Sequence, residues 1–308
     1  MTLKQLMYFV AIARQGSFLK AAQQVYVAQS ALSYQIAQLE DYLQTPLFFR
    51  SRQGVELTEA GEVFLTHAQA ILRQVEDATQ TIRTLSQTPE GVVTFGLAHS
   101  VSNALALPLL QEVRTKFPKI HLELTEELTG NLSRQLRSGQ IHMAVLFDDG
   151  LQDDFLVQPI LRERLSLIST AAQQPERKAM SLHEALTMPL ILPSNPHGVR
   201  PIIEQLAQEQ GYAAPNVVAD ISSISILRTS LLAGLGHTLL PVMPLQPEID
   251  QGLLSVTTVD SPALYRDVVL CRSAHLPLST AASSVWQLCV NLVHTLSENG
   301  CWRDSEQL

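Results

Sequence analysis

The chain has 308 residues, 46% of them hydrophobic, and a formal net charge of −8, which is enough for two or three domains with apolar cores. Its three cysteines form no C-x-x-C pair, which argues against a disulfide framework or a zinc site and predicts a reducing cytoplasm. The apolar run within MTLKQLMYFVAIARQG is too short for a signal peptide, and nowhere do about 18 apolar residues follow one another, so neither export nor a membrane span is expected.

The first predicted helix starts with a capping box. Thr2 and Gln5 stand at the spacing that lets each side chain satisfy the other's backbone N–H group, and Gly16 ends the helix. The apolar residues Leu6, Met7, Val10 and Ala13 follow the capping box. We expect this helix to brace the two that follow.

Two short amphipathic helices come next. Only residues 26–28 separate them, and the small side chains of Ala21 and Ala22 let their backbones approach, so the pattern predicts a helix-turn-helix. The apolar stripe of the first comprises Phe18, Ala21, Ala22 and Val25, and that of the second Leu32, Ile36, Leu39 and Leu43.

The outward face of the second helix is small and uncharged. Its hydroxyl, amide and phenol groups suit base edges in a major groove about 12 Å wide. The predicted base-reading residues are Gln29, Ser30, Ser33 and Tyr34. LFF and VELT then predict a hairpin wing, whose cations Arg50 and Arg52 would contact phosphate. The alternative is an ordinary helical pair with a solvated hairpin.

The charge is distributed unevenly along the chain. Residues 1–58 hold five Lys or Arg against three acids, a balance of +2, whereas the other 250 residues have a balance of −10. A mildly basic head on an acidic body fits a DNA-binding protein that makes few phosphate contacts per subunit. Useful affinity would then need several subunits on one site.

Residues 59–90 are predicted to form a coiled-coil linker helix and a hinge. Apolar residues recur at alternating spacings of four and three, no proline interrupts them before Pro89, and SQTPEG ends the segment. Such a helix would span about 40 Å and lie along a second copy of the chain. The alternative is an amphipathic helix folded back on its own domain. The dimerisation seam comprises Phe64, Ala68, Ile71, Val75, Ala78, Ile82 and Leu85.

Residues 91–308 alternate between predicted strands and helices. The order β-α-β-α-β predicts a parallel sheet, and a second such unit follows it. Candidate crossovers near 161–164 and 265–268 predict two lobes with a cleft: lobe I over 91–161 and 268–308, and lobe II over 162–267.

Loops at the carboxyl ends of these strands are the expected ligand site, because helix amino termini there carry unpaired N–H groups. Hydroxyls and amides predominate in the loops, and no acid is among the candidates, so we expect a small carboxylate or an inorganic oxyanion. Arg200 or His197 would supply positive charge. The candidate effector-binding residues are Ser100, Ser102, Thr129, Ser194, Asn195, His197, Arg200 and Ser223.

Three motifs carry a resemblance to a known family: LKQLMYFVAIARQGSFLKAAQQV, VAQSALSYQIAQLE and LFFRSRQGVELTEAG. In this order and spacing they resemble the amino-terminal domain of LysR-type transcriptional regulators, and more the nitrogen-assimilation-control type than the aromatic-catabolism type. Ala28, Ser30 and Tyr34 replace residues common in the family. These departures concern the operator sequence and not the fold.

The resemblance implies an α/β protein with an α-rich head. The parts are a winged helix-turn-helix domain over 1–58, the linker over 59–90, and a two-lobed effector-binding domain over 91–308 similar to periplasmic binding proteins. The implied partners are double-stranded DNA at a pseudo-palindromic operator, a small-molecule or oxyanion effector, further copies of the chain as a dimer or dimer of dimers, and RNA polymerase. No membrane partner, cofactor or metal is expected.

Three functions are weighed. The first is a bacterial transcriptional regulator that responds to a ligand, and the second is the same regulator with its cleft closed or filled by its own side chains. The third, an α/β enzyme with a DNA-binding head, is disfavoured because the sequence holds no H-E-x-x-H, G-x-S-x-G or P-loop motif.

Overall fold

The computed structural model describes residues 1–51, 54–83, 88–148, 154–175, 178–194 and 198–308. The chain divides into two units, which are described separately: Met1–Gln87 with Arg137–Gln140, and Thr88–Leu136 with Ile141–Leu308. Within the described ranges, no helix has the length and apolar character needed to cross a membrane.

Three helices form the head of the first unit: α1 (Leu3–Gln15), α2 (Phe18–Gln24) and α3 (Gln29–Leu43). The predicted capping box is confirmed, since the Thr2 hydroxyl accepts from the Gln5 N–H and the Gln5 side chain accepts from the Thr2 N–H. Gly16 ends α1 with a φ of 58°, a left-handed conformation that glycine adopts at little cost. The Ser17 hydroxyl then caps α2.

An aromatic cluster fills the core of the head. The ring of Phe9 lies 5.1 Å from that of Phe48 and 5.0 Å from that of Phe64, measured between centroids. Met7 is 46% exposed, whereas Phe9 is fully buried. The helix therefore turns its aromatic side chain, which buries more apolar area, toward the core.

The wing is an antiparallel hairpin of β1 (Phe48–Ser51) and β2 (Gly54–Leu57). Two contacts fix it on the head: the Val55 N–H donates to the Gly16 carbonyl, and Glu40 accepts from the backbone N–H groups of Leu47 and Phe48. The hairpin is followed by α4 (Glu59–Arg83), the predicted linker helix.

The second unit contains twelve of the strands and seven of the α-helices described. Its strands are β3 (Gly91–Ala98), β4 (Ile120–Glu127), β5 (Met143–Phe147), β6 (Phe155–Arg164), β7 (Ser166–Thr170), β8 (Ala179–Ser181), β9 (Leu190–Leu192), β10 (Val217–Asp220), β11 (Thr238–Leu240), β12 (Leu254–Asp260), β13 (Tyr265–Ser273) and β14 (Ser305–Gln307). Its α-helices are α5 (His99–Lys116), α6 (Thr129–Arg137), α7 (Leu182–Thr187), α8 (Arg200–Glu209), α9 (Ile224–Leu232), α10 (Gln246–Asp250) and α11 (Thr280–Glu298).

One six-stranded sheet has the order β14-β6-β13-β5-β3-β4, and we call it, with the helices packed on it, lobe I. The strands β4, β3 and β5 are parallel, as their alternation with α5 and α6 predicts, whereas β13, β6 and β14 are antiparallel. The sequence did not predict β6, in which Pro159 lies at a register shift against β13. Proline weakens a strand signal and is tolerated at such bulges.

The remaining strands form lobe II. Its four-stranded sheet has the order β11-β7-β12-β8, and a parallel pair joins β9 and β10. The predicted second parallel unit is confirmed only in part: β9 with β10 and β12 with β8 are parallel, whereas β7 pairs antiparallel with both β11 and β12. Each lobe has its own apolar core. The chain passes from lobe I to lobe II after β6 ends at Arg164 and returns where β13 begins at Tyr265.

Candidate DNA-binding face and ligand cavity

The apolar stripe of α3 determines which side chains point outward. Leu32, Ile36 and Leu39 are fully buried in the head, which fixes the rotation of the helix about its axis. The predicted base-reading residues then lie on the opposite side. Gln29, Ser30 and Tyr34 are exposed, and Ser33 is partly exposed.

Tyr34 is the largest group on this face and is 62% exposed. The Gln38 amide one turn later donates to its hydroxyl at 3.0 Å, so the phenol and the amide form one polar surface. Ala28 precedes the helix and makes no side-chain cap. The first-turn N–H groups are therefore left to solvent or to a phosphate.

Arg50 is held between an aromatic ring and an acid. Its guanidinium carbon lies 4.6 Å from the ring centroid of Phe18, and its Nη2 lies 3.6 Å from Oε2 of Glu40. The side chain is still 49% exposed. Arg50 is thus restrained but accessible, as a phosphate contact requires. Arg52 lies outside the described residues.

The predicted dimerisation seam divides into two parts on α4. Ala68 is fully buried in the core of the head, so its assignment to a seam between chains is corrected, whereas Phe64 is only partly buried and packs against that core. The later positions Ile71, Val75, Ala78 and Ile82 are exposed, Ile82 by 70%. Leu85 lies outside the described residues.

A cavity of about 240 Å³ opens between lobe I and lobe II of the second unit. From lobe I it is lined by residues 98–100 and 127–129 at the carboxyl ends of β3 and β4, by Phe147 and by Arg266. From lobe II it is lined by residues 193–194 and 198–199 and by Ser222, Ile224 and Leu240. The cavity therefore lies where strands of the parallel part of the sheet lead into helices.

Three of the candidate effector-binding residues line this cavity: Ser100, Thr129 and Ser194. Glu127, an acid that was not among the candidates, also lines it. Most other lining side chains are apolar. The cavity therefore combines apolar walls with a few convergent polar groups, as small-molecule sites usually do.

Arg266 supplies the positive charge. Its side chain is 4% exposed, its Nε donates to Glu163 at 2.6 Å, and its Nη2 donates to the Ser100 hydroxyl at 2.8 Å. Its guanidinium carbon lies 3.8 Å from the centroid of the Phe147 ring. Burial lowers the pKa of Arg266, and the Glu163 carboxylate partly offsets that change. Glu163 also accepts from the indole N–H of Trp302 at 2.8 Å.

Three candidates do not line the cavity. The Ser102 hydroxyl donates to the His99 carbonyl within the first turn of α5, and the Ser223 hydroxyl caps α9. Arg200 is paired with Glu204 at 2.7 Å and with Asp220, so it already has two carboxylate partners. Asn195 and His197 lie outside the described residues.

Arg266 and Glu163 were not predicted from the sequence. The available signal was strand periodicity, since positions 266, 268 and 270 of β13 all point inward and only the first is charged. An inward charge on a buried strand requires a partner and often marks a functional site. Glu163 lies 103 residues away, on a strand that the sequence did not reveal.

Two family models match the chain. Residues 3–62 match the model described as a bacterial regulatory helix-turn-helix protein of the lysR family, and residues 86–293 match the model described as the LysR substrate binding domain. These matches confirm the resemblance that the three amino-terminal motifs indicated.

Similarity to known proteins extends over nearly the whole chain. The nitrogen assimilation regulatory protein nac of Klebsiella aerogenes is 33% identical over 294 residues, which is 95% of each chain, and that of Escherichia coli is 31% identical with the same coverage. Among solved structures, a full-length OxyR variant from Pseudomonas aeruginosa has a TM-score of 0.71 at 23% identity and covers 100% of this chain and 98% of its own. Full-length CbnR complexed with its target DNA has a TM-score of 0.69 at 20% identity, covering 95% and 100%.

Proposed function

Since the chain belongs to the LysR family and is a DNA-binding transcriptional regulator with an effector-binding domain, not an enzyme, we propose that its action at the promoter responds to a small anion bound in the cavity. The observation that carries the proposal is the buried Arg266, which lines the cavity beside the hydroxyl of Ser100. A cation and hydroxyl donors inside apolar walls favour an anionic group.

Each of the proposed domains would have a separate role. Residues 1–58 would bind a pseudo-palindromic operator, with α3 in the major groove and the wing on phosphate. Residues 59–90 would join two copies through Ile71, Val75, Ala78 and Ile82, whose side chains are exposed in a single chain. Residues 91–308 would bind the effector, and a dimer of dimers could contact RNA polymerase at the promoter.

A ligand can act only if it binds the two states of the regulator differently. In a protein with two lobes, closure around a ligand changes their mutual orientation, and that change is available to the attached linker helix. We propose this route because the cavity has walls from both lobes.

A second candidate function is the same regulator without effector sensing. One observation favours it: Glu163 and Ser100 already bind Arg266, so the chain itself satisfies part of the cation. In that case the cavity would bind no effector.

A metabolite screen by thermal shift, followed by operator titrations, separates the two. The operator is first identified by selecting bound sites from genomic DNA. We expect a small anion to raise the melting temperature and change operator affinity. Ser100→Ala should weaken that response, whereas Arg200→Ala should leave it unchanged because Arg200 does not line the cavity. No response to any anion would favour the regulator without sensing.

A further inference from the structure

We propose that Arg266 is the specificity-determining residue of the cavity and that it selects a ligand with a single carboxylate on an apolar body. This inference rests on the proposed function and names the ligand class of the same site. Arg266 is buried and yet lines the cavity. A guanidinium has five N–H groups in a fixed plane. Among the described residues, its hydrogen bonds go only to Glu163 and Ser100, which leaves N–H groups for a ligand.

The charges around the cavity limit the ligand to one negative charge. Arg266 is the only Lys or Arg among the described lining residues, and His99, which also lines the cavity, lies 2.8 Å from Glu126. Glu163 pairs with Arg266 at 2.6 Å, and Glu127 lines the cavity as well. A dianion such as sulfate or succinate would place two more negative charges near two carboxylates and one cation. In a site of low dielectric constant that repulsion is strong. A single carboxylate can share the guanidinium with Glu163.

The walls select the rest of the ligand. Leu128 and Phe147 come from lobe I, and Val199, Ile224 and Leu240 come from lobe II. An apolar body gains free energy in proportion to the area that it removes from water against these side chains. The volume of about 240 Å³ lies below the range of roughly 300–1,000 Å³ that is usual for drug-sized ligands. A short aliphatic or aromatic chain therefore fits.

Contacts with Glu163 and Phe147 hold the Arg266 guanidinium in a fixed orientation. Glu163 binds Arg266 with one carboxylate oxygen and the Trp302 indole with the other, at 2.6 and 2.8 Å. Phe147 covers a face of the guanidinium. Trp302 is 1% exposed and so cannot move easily. It is also a spectroscopic reporter, because Trp286 is the only other tryptophan of the chain.

The experiment is calorimetry on the full-length chain carrying Trp286→Phe. The probes are the linear monocarboxylates from butanoate to octanoate, the matching primary amides, and the dianions sulfate and succinate. We expect the carboxylates to bind at least tenfold more tightly than the amides and the dianions. Saturation with a carboxylate should also change the emission of Trp302.

Glu163→Gln and the double variant Arg266→Gln, Glu163→Gln give the sharper test. Glu163→Gln removes the competing charge and keeps the shape of the side chain, so carboxylate affinity should rise about tenfold while amide affinity is unchanged. The double variant has no charge at either position, so carboxylates should lose their advantage over the amides. Arg200→Gln is the control and should change neither. A merely structural role for the pair cannot raise affinity in one variant and abolish selectivity in the other.

Three results would overturn the inference: equal binding of carboxylates and amides by the parent chain, a carboxylate affinity that Glu163→Gln lowers or leaves unchanged, or no binding by any probe. Each is independent of the proposed function, which is decided by operator titration. If operator affinity responds to a dianion, the inference about a single carboxylate is wrong but the proposed function is supported. If carboxylates bind through Arg266 but do not change operator affinity, the inference is supported and the proposed function is wrong.

Discussion

Arg50 in the head and Arg266 in the second unit have the same kinds of neighbour, a glutamate and a phenylalanine, in very different surroundings. Arg50 lies 3.6 Å from Glu40 and is about half exposed, whereas Arg266 lies 2.6 Å from Glu163 and is almost completely buried. Water screens the first pair and leaves the cation free to meet a phosphate. The second pair holds its charge in a medium of low dielectric constant, where each partner depends on the other. The difference matches the two proposed roles, a phosphate contact for Arg50 and a small-ligand contact for Arg266.

The largest effect should come from breaking the buried pair. Arg266→Ala leaves the Glu163 carboxylate buried without its cation, so the free energy of unfolding should fall by about 3–5 kcal/mol. Urea denaturation measures it, and Arg50→Ala is the matched control. If both substitutions cost the same, the contrast between the two pairs is wrong.

The second effect concerns assembly. Ile71 is 37% exposed in one chain, and Ile71→Asp would place a carboxylate in an apolar seam between two chains. Dimer affinity should fall at least about tenfold, equivalent to about 1.4 kcal/mol. Sedimentation measures it, and circular dichroism should show an unchanged fold.

Ala68→Asp is the contrasting variant for the same helix. Ala68 is fully buried in the head, so an aspartate there should lower the stability of the chain itself. If Ile71→Asp left the oligomer intact, the exposed part of α4 would not be the interface.

A third effect concerns base preference. Tyr34→Ala removes a phenol from the exposed face of α3 and should change preference at particular positions of the operator by about 1–3 kcal/mol. Ser33→Ala should act likewise. Selection of bound sites from random DNA measures it, with Tyr42→Ala, which is 65% exposed on the same helix, as the control. Identical selected sequences would remove Tyr34 from the base-reading set.

The smallest effect on stability belongs to Arg50. Arg50→Ala should lower the free energy of unfolding by less than about 1 kcal/mol, because the Arg50 side chain is 49% exposed and water screens its charge. It should weaken binding to specific and random DNA alike and lower the salt slope by about one. Arg52→Ala is expected to behave in the same way. A loss confined to one base position would show that Arg50 reads sequence.

The head and the cavity also differ in how far the sequence could predict them. The head is built from neighbouring residues, so helix periodicity, the Thr2 capping box and the exposed polar face of α3 followed from local patterns. The cavity combines segments up to 168 positions apart, from Ala98 to Arg266. Local patterns located Ser100, Thr129 and Ser194 because they follow strands, but Glu163 depends on a strand with an internal proline. Arg200 was predicted to bind the effector because it lies at the start of a helix. The sequence does not show that Glu204 and Asp220 pair with its guanidinium in the fold.

The bond between Trp302 and Glu163 affects how the effector-binding domain can be isolated. The family match ends at residue 293, which is before the last turns of α11, Trp302 and β14. A fragment that stopped there would remove the indole that holds Glu163 and expose the edge of β6 that β14 covers. Such a fragment should aggregate through that strand edge. A soluble fragment for ligand screening should therefore include β14, through Gln307.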